Sequence, residues 1–478
     1  MAENIIYPSI NLFLYDIRDG LGEDEQKISS NCQDFCRKIY GDLYKANLQE
    51  QPIEFLEKQR EFLKYKDSRA DVVELLGKAR TRNFKEFSAS LDGYYYPLQL
   101  DDTYGLQVNF SGKLDANGKP NDAVQDIDSE PFSKLKQEIT NRLSQQTGTI
   151  GQTWLLWGKL TSTKTETEIE DIAKQCYTQI VSDYNWQRDF IGKGKLAAGT
   201  IFELWYCPQN LAGEGKEFWD KFRESSYHLL IWLFPENITP DEMREQVRNL
   251  YYDFMRLWQY RHKVVWSYYQ SRYQKHILKR EYVEIQPSIK QTTELPRRLQ
   301  NNSLKLNELQ NTLTTNLINL SDYSVALNYL ENQSRTIELN LTNYRYRLAD
   351  IQAKYPGSDL EFLKKFSEGE VYAPKYQSQI KADLANLSPG LTMLQNLNST
   401  IQGIIDLEQT KSDRTLNTTI AIAGIGLATS QIASAVILAQ PPNDKNPLAY
   451  RAEAFVWSLV IGLIFAWLTY MILSRLRR

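Results

Sequence analysis

TWLLWGKL (153–160), TIFELWYC (200–207) and YHLLIWLF (227–234) are nearly continuous apolar runs of strand length, each holding a tryptophan. A strand wetted on one face alternates apolar and polar residues, whereas runs like these belong to strands covered on both faces. Further strand candidates are 5–15 and 94–110, and the stretches 25–47, 130–145 and 165–182 read as helices between them. Residues 112–128 (GKLDANGKPNDAVQDID) form a polar loop rich in turn residues. The reading for 1–238 is therefore a mixed α/β soluble domain on the cytoplasmic side.

The chain has 478 residues with 56 Lys and Arg against 59 Asp and Glu. A net charge of -3 excludes nucleic-acid binding driven by the field of the whole protein, and no nucleic-acid partner is expected. The four cysteines, Cys32, Cys36, Cys176 and Cys207, form no CxxC pair and read as reduced, buried thiols. Met1 to Ile5 shows no signal-peptide pattern and Ala2 is not a myristoylation site, so neither is expected.

Catalytic patterns are sparse. His228, His262 and His276 are the only histidines, and His228 sits inside an apolar strand, so neither a histidine metal site nor a Ser-His-Asp arrangement is expected. There is no GxxxxGK[ST] or GxGxxG stretch, and no enzymatic activity is expected. Gly192-Lys193-Gly194-Lys195 could form a small anion-binding loop. Asp101, Asp102, Asp115, Asp122, Asp126 and Asp128 are loop acids that could hold a divalent cation as cofactor or simply be solvated.

Thr239-Pro240-Asp241-Glu242 is a strong helix start and opens a long aromatic and basic helix over 239–288. Within it Arg256, Arg261, Lys263, Trp266 and Arg272 are candidate contacts for a small anionic ligand, a nucleotide or an anionic headgroup. The same pattern also suits aromatics packed on a sheet with their cations in water.

Residues 289–414 read as a coiled-coil stalk. Leu309, Leu313, Leu320, Tyr323, Leu327, Leu330, Ile337, Leu341, Tyr344, Leu348, Ile351 and Tyr355 follow alternating spacings of three and four, with Asn316 and Ser334 in the gaps. Pro356-Gly357-Ser358-Asp359 stops that helix, and a second apolar series from Ile380 to Ile405 follows, so the stalk is a helical hairpin turning near 356–374. Pro389 is read as a kink or a fresh helix start.

Residues 415–440 and 454–474 contain no charged residue and are long enough to cross a bilayer, with polar, proline-rich residues between them. A transmembrane hairpin over 415–474 and a basic tail at 475–478 are expected, with both termini cytoplasmic at an inner or plasma membrane. Asn417, Ala421, Gly424, Ala428, Gln431 and Ala435 form a small and polar stripe on the first span, suited to helix packing or to lining a pore.

A cytoplasmic α/β domain, a long stalk helix leading from Arg414-Thr415-Leu416-Asn417 into the first of two spans, and a basic tail together resemble the CorA-type magnesium channels. The resemblance covers about residues 290 to 478 and implies a homo-oligomer whose first spans surround a pore lined by Asn417, Gly424, Ala428 and Gln431. Where that family carries Gly-Met-Asn, this chain has Ala439-Gln440-Pro441-Pro442-Asn443. The expected function is an oligomeric CorA-like membrane protein in which a cytoplasmic sensing domain is coupled to the hairpin as an ion channel or transporter. The alternative is a membrane-anchored scaffold whose coiled coil binds a cytoplasmic protein partner.

Overall fold

The computed structural model describes residues 3–20, 22–41, 43, 52–68, 70–76, 83–208, 211–300, 306–369 and 372–411. In chain order the elements are β1 (Asn4–Ile17), α1 (Glu25–Ile39), α2 (Ile53–Leu63), β2 (Val73–Glu74), β3 (Lys85–Glu86), β4 (Leu91–Leu100), β5 (Thr103–Lys113) and β6 (Val124–Asp126). There follow α3 (Pro131–Arg142), β7 (Gly151–Leu160), α4 (Glu166–Ile180), α5 (Trp186–Asp189), β8 (Phe190–Leu196), β9 (Gly199–Tyr206), α6 (Gly215–Ser225) and β10 (Tyr227–Phe234). Four helices complete the series: α7 (Pro240–Gln300), α8 (Leu306–Lys354), α9 (Glu361–Glu368) and α10 (Ala373–Lys411).

The strands make one mixed sheet in the order β2-β4-β5-β1-β7-β10-β9-β8, with β3 added to β4 and β6 to β1. Every pairing is antiparallel except β7 with β10, where Leu229 to Phe234 run alongside Trp154 to Lys159. The stretch 94–110, read as one strand, is two: the chain turns at Asp101, whose φ of 56° lies in the left-handed region that aspartate tolerates.

One face of the sheet is an apolar layer. Ile10, Leu12, Leu14, Leu106, Val108, Leu156 and Ile231 meet Phe35, Phe62, Phe132, Ile139, Ile172 and Cys176 from the covering helices α1 to α4. The register fixes the opposite face, because from Ser9 onward, past the irregularity that follows Ile6, the odd residues of β1 point away from that layer. That face carries Ser9, Asn11, Gln107, Asn109, Ser111, Thr153, Glu203 and His228, all buried. Helix α7 covers it, with Tyr15 Oη donating to the Met255 carbonyl at 2.8 Å and Gln259 Nε2 to the Leu100 carbonyl at 2.9 Å. A reciprocal capping box between Thr239 and Glu242 starts α7.

The chain divides into two compact units. The first comprises 1–280 with 324–388 and holds the sheet. There α8 is tied to α7 at the buried Asp253, which accepts from Arg347 at 3.1 Å and Lys354 at 2.6 Å. Tyr344 Oη donates to the Leu363 carbonyl of α9 at 3.0 Å. The second unit takes in 281–323 and the chain from 389 onward. It has its own small core of Leu309, Leu397, Ile401, Ile404 and Ile405, with Asn316 and Asn398 buried as well.

The part of the fold expected in a membrane needs correction. Among the described residues no helix is long and apolar enough to cross a membrane. The last of them, α10, interleaves its leucines and isoleucines with Gln, Asn, Ser, Thr and Lys throughout. The CorA-like channel and the inner-membrane placement therefore do not stand, and the membrane-anchored scaffold, which relied on the same hairpin, gains no support. The spans at 415–440 and 454–474, the tail and the stripe residues Asn417, Ala421, Gly424, Ala428, Gln431 and Ala435 lie outside the described residues.

Candidate functional site

Beneath α7 lies a chain of buried polar groups on the sheet. The Thr153 hydroxyl is 2.8 Å from His228 Nδ1 and 2.7 Å from His262 Nε2, so it donates to one imidazole and accepts from the other. The far nitrogen of His228 is 3.1 Å from Glu203 Oε1, and Arg261 Nη2 is 3.4 Å from the same oxygen. Burial pushes the Glu203 carboxyl up to about 7, against the pull of Arg261 and Lys365. Burial likewise holds both imidazoles well below the usual histidine range, helped by the nearby Arg261 charge. The order hydroxyl, imidazole, carboxylate is that of a nucleophile, base and orienting acid. The cavity beside it measures only about 30 Å³, enough for a water and too small for a substrate. The arrangement is a buried polar network, and Arg261 is held there between the rings of Trp205 and Phe366 at 4.4 and 4.3 Å.

On the outer side of Trp205 and Trp219 a cleft of about 640 Å³ opens to solvent. Its walls are the end of β9, the start of α6, the middle of α7 and the start of α10 within the first unit. Aromatic rings build them: Tyr268 stacks on Tyr376 with centroids 4.0 Å apart, Tyr372 lies 4.9 Å from Trp205, and Tyr269 lies 4.3 Å from Phe222. Cys207 Sγ is 3.0 Å from Tyr269 Oη, and burial raises that thiol's pKa.

The entrance depends on glycine. Gly213 and Gly215 have φ of 121° and 56°, and a Cβ on Gly215 would begin 3.0 Å from the Tyr273 ring. Only glycine combines that backbone with so close an approach to the ring. Helix α6 starts at this turn, and its N-cap Glu214 makes no side-chain capping bond. Glu214 instead stands 3.3 Å from His276 Nε2.

Arg272, Lys275, Lys279 and Lys375 bring four cations to the lining. Asp383 engages two of them, Arg272 at 3.3 Å and Lys275. Lys279 and Lys375 have no hydrogen-bond or ion-pair partner among the described residues, and both are exposed.

The candidates on α7 are dispersed, because successive residues of a helix turn through 100°. Arg256 donates to the Asp71 carbonyl at 3.0 Å, and Lys263 pairs with Asp102 at 2.5 Å. Arg261 is in the core, Trp266 is half-buried, and Arg272 alone of the five lines the cleft. Gly192 to Lys195 is part of strand β8, not an anion-binding loop. Asp102 and Asp122 are occupied by Lys263 and Arg244, Asp115 closes its own turn and Asp126 caps one. Among the described residues no group of three or more His, Cys, Asp or Glu could hold a metal. Lys279, which lines the cleft, belongs to the same aromatic and basic run but was not among the five candidate contacts. Sequence reasoning missed Lys375 and the Gly213–Gly215 turn, for which no local pattern gave a signal.

No family model matches the chain, and no curated protein or solved structure matches it.

Proposed function

We propose that the first unit is a binding module for a small ligand that is both planar and anionic, with a nucleotide as the type, and that the ligand occupies the cleft behind Gly213 to Gly215. One observation carries this reading: two unpartnered lysines, Lys279 and Lys375, stand on an aromatic-walled cleft of about 640 Å³. That volume is in the usual range for small-molecule sites. Aromatic faces receive a flat ring, and ammonium groups with no internal partner receive charge from outside. The open N-terminus of α6 adds backbone N–H groups of the same polarity.

Trp205 and Trp219 line the cleft and report on it directly. Tryptophan emission of the full chain is titrated with ATP, AMP, pyrophosphate and adenosine. Saturable quenching by a nucleotide is expected, weaker with adenosine and with pyrophosphate, since each offers only half of the recognition. Lys279→Glu combined with Lys375→Glu should weaken nucleotide binding by at least about tenfold, as loss of two charge-assisted contacts requires. A chain that none of the four ligands perturbs, or a double variant that binds as the parent does, would overturn the reading.

A further inference from the structure

Helix α8 carries two seven-residue repeats. One, Tyr323, Leu330, Ile337, Tyr344 and Ile351, is buried against its own chain. The other is Ile318, Val325, Asn332, Leu339 and Tyr346. In it Ile318 is 59% exposed, Val325 52%, Leu339 61% and Tyr346 69%. Scattered surface apolar residues need no explanation, but four at a strict period of seven on one helix trace a line that stays in register with a second helix.

We infer that α8 is the contact helix of a two-fold dimer of this chain, with the two copies of α8 antiparallel and crossing at Asn332. A two-fold contact must be self-complementary, residue i meeting j wherever j meets i. About Asn332 the stripe meets that condition. Val325 faces Leu339 of the second copy, Ile318 faces Tyr346, and the Asn332 amides face each other, each able to donate and accept.

Charge selects the antiparallel direction. Arg335 lies beside the stripe, exposed and paired with Glu331 of its own helix. In a parallel pair it would stand level with its own copy, two like charges at the seam. In the antiparallel pair it falls opposite Tyr329, which is 37% exposed and offers a ring face to the cation. Contact from Ile318 to Tyr346 would run about 42 Å along the helix at 1.5 Å per residue. Two helices engaged over that length bury on the order of 1,000 Å², the lower end for a specific interface. The dimer is therefore concentration-dependent.

The test uses the full chain with Cys207→Ser to remove the half-exposed thiol. Under mild oxidation Asn332→Cys should give a disulfide-linked dimer. Val325→Cys alone should not, and a mixture of Val325→Cys with Leu339→Cys chains should. Sedimentation velocity should show a dimer at high concentration that Val325→Glu with Leu339→Glu dissociates, with the far-ultraviolet spectrum and melting unchanged, because both side chains are exposed. Val325→Cys linking to itself as readily as to Leu339→Cys would overturn the antiparallel arrangement. A chain that stays monomeric at every concentration, with no Asn332→Cys link, would overturn the dimer.

Discussion

The guanidinium of Arg261 lies 4.4 Å from the ring centre of Trp205, so the cation that faces Glu203 in the core also backs a wall of the cleft. Arg261 and Glu203 are each about 1% exposed. Removing one partner leaves the other buried without its counter-charge.

Arg261→Met should accordingly lower stability by about 3 kcal/mol in urea titration, the usual cost of breaking a buried pair. Adding Glu203→Gln to that variant should restore more than half of the loss, since a neutral amide needs no counter-charge. A loss under about 1 kcal/mol for Arg261→Met would show that the pair is not coupled.

Stability should depend on pH through the same network. His228 and His262 have lowered pKa values in the folded chain, so below about 6.5 the unfolded chain gains protons that the folded chain refuses. Acidification through that range is destabilising. Glu203 acts in the opposite sense. Its folded pKa of about 7 exceeds the ordinary 4.5, so its contribution is complete below 4.5 and is lost as pH rises through about 7. Two histidines outweigh one glutamate, and this network's contribution should rise with pH to about 6.5 and then fall slightly towards 7. Melting temperatures measured from pH 5 to 8 check this. Glu203→Gln should abolish the decline and steepen the acid limb, whereas His262→Gln should flatten it. Parallel profiles for all three proteins would refute the assignment.

In the second unit Asn316 has no exposure and Asn398 is 7% exposed, and neither side-chain amide has a hydrogen-bond partner among the described residues. Asn316 takes the heptad place between Leu309 and Tyr323. An unpaired buried amide costs roughly 1–3 kcal/mol, so Asn316→Leu should raise stability by about 1–2 kcal/mol in thermal or urea unfolding. A destabilised variant would instead show that the amide is satisfied in solution.

The strands were legible where side chains alone set the environment. Runs such as YHLLIWLF announce burial on both faces, and β7, β9 and β10 lie where those runs are. Strand β8 was illegible because Gly192-Lys193-Gly194-Lys195 has no apolar content. Its pairing comes from β9, and its glycines admit α9 and the chain before it, since a Cβ on Gly192 would come within 2.6 Å of Phe362 Cβ and one on Gly194 within 2.0 Å of the Asp359 carbonyl oxygen. The basic and aromatic run on α7 was visible as composition, but composition does not say which face each residue takes. Arg256, Arg261 and Arg272 went to a groove, the core and the cleft, according to partners more than a hundred residues away in sequence for the first and last of them. The membrane expectation was drawn from 415–474, and nothing in the described helices continues it.

The polar row on the sheet has a consequence for the order in which the protein is made. Strands β1, β4, β5 and β7 leave the ribosome well before α7, the element that covers their second face. On that face Gln107 and Asn109 both donate to Asn11 Oδ1, at 3.0 and 3.1 Å, and Ser111 donates to Ser9 at 2.7 Å. An apolar surface left bare for that interval would adhere to other half-made chains. Here Phe13 and Trp232 share the face with a polar row whose groups hydrogen-bond one another, so that row is the part of the unfinished sheet least prone to adhere before α7 covers it.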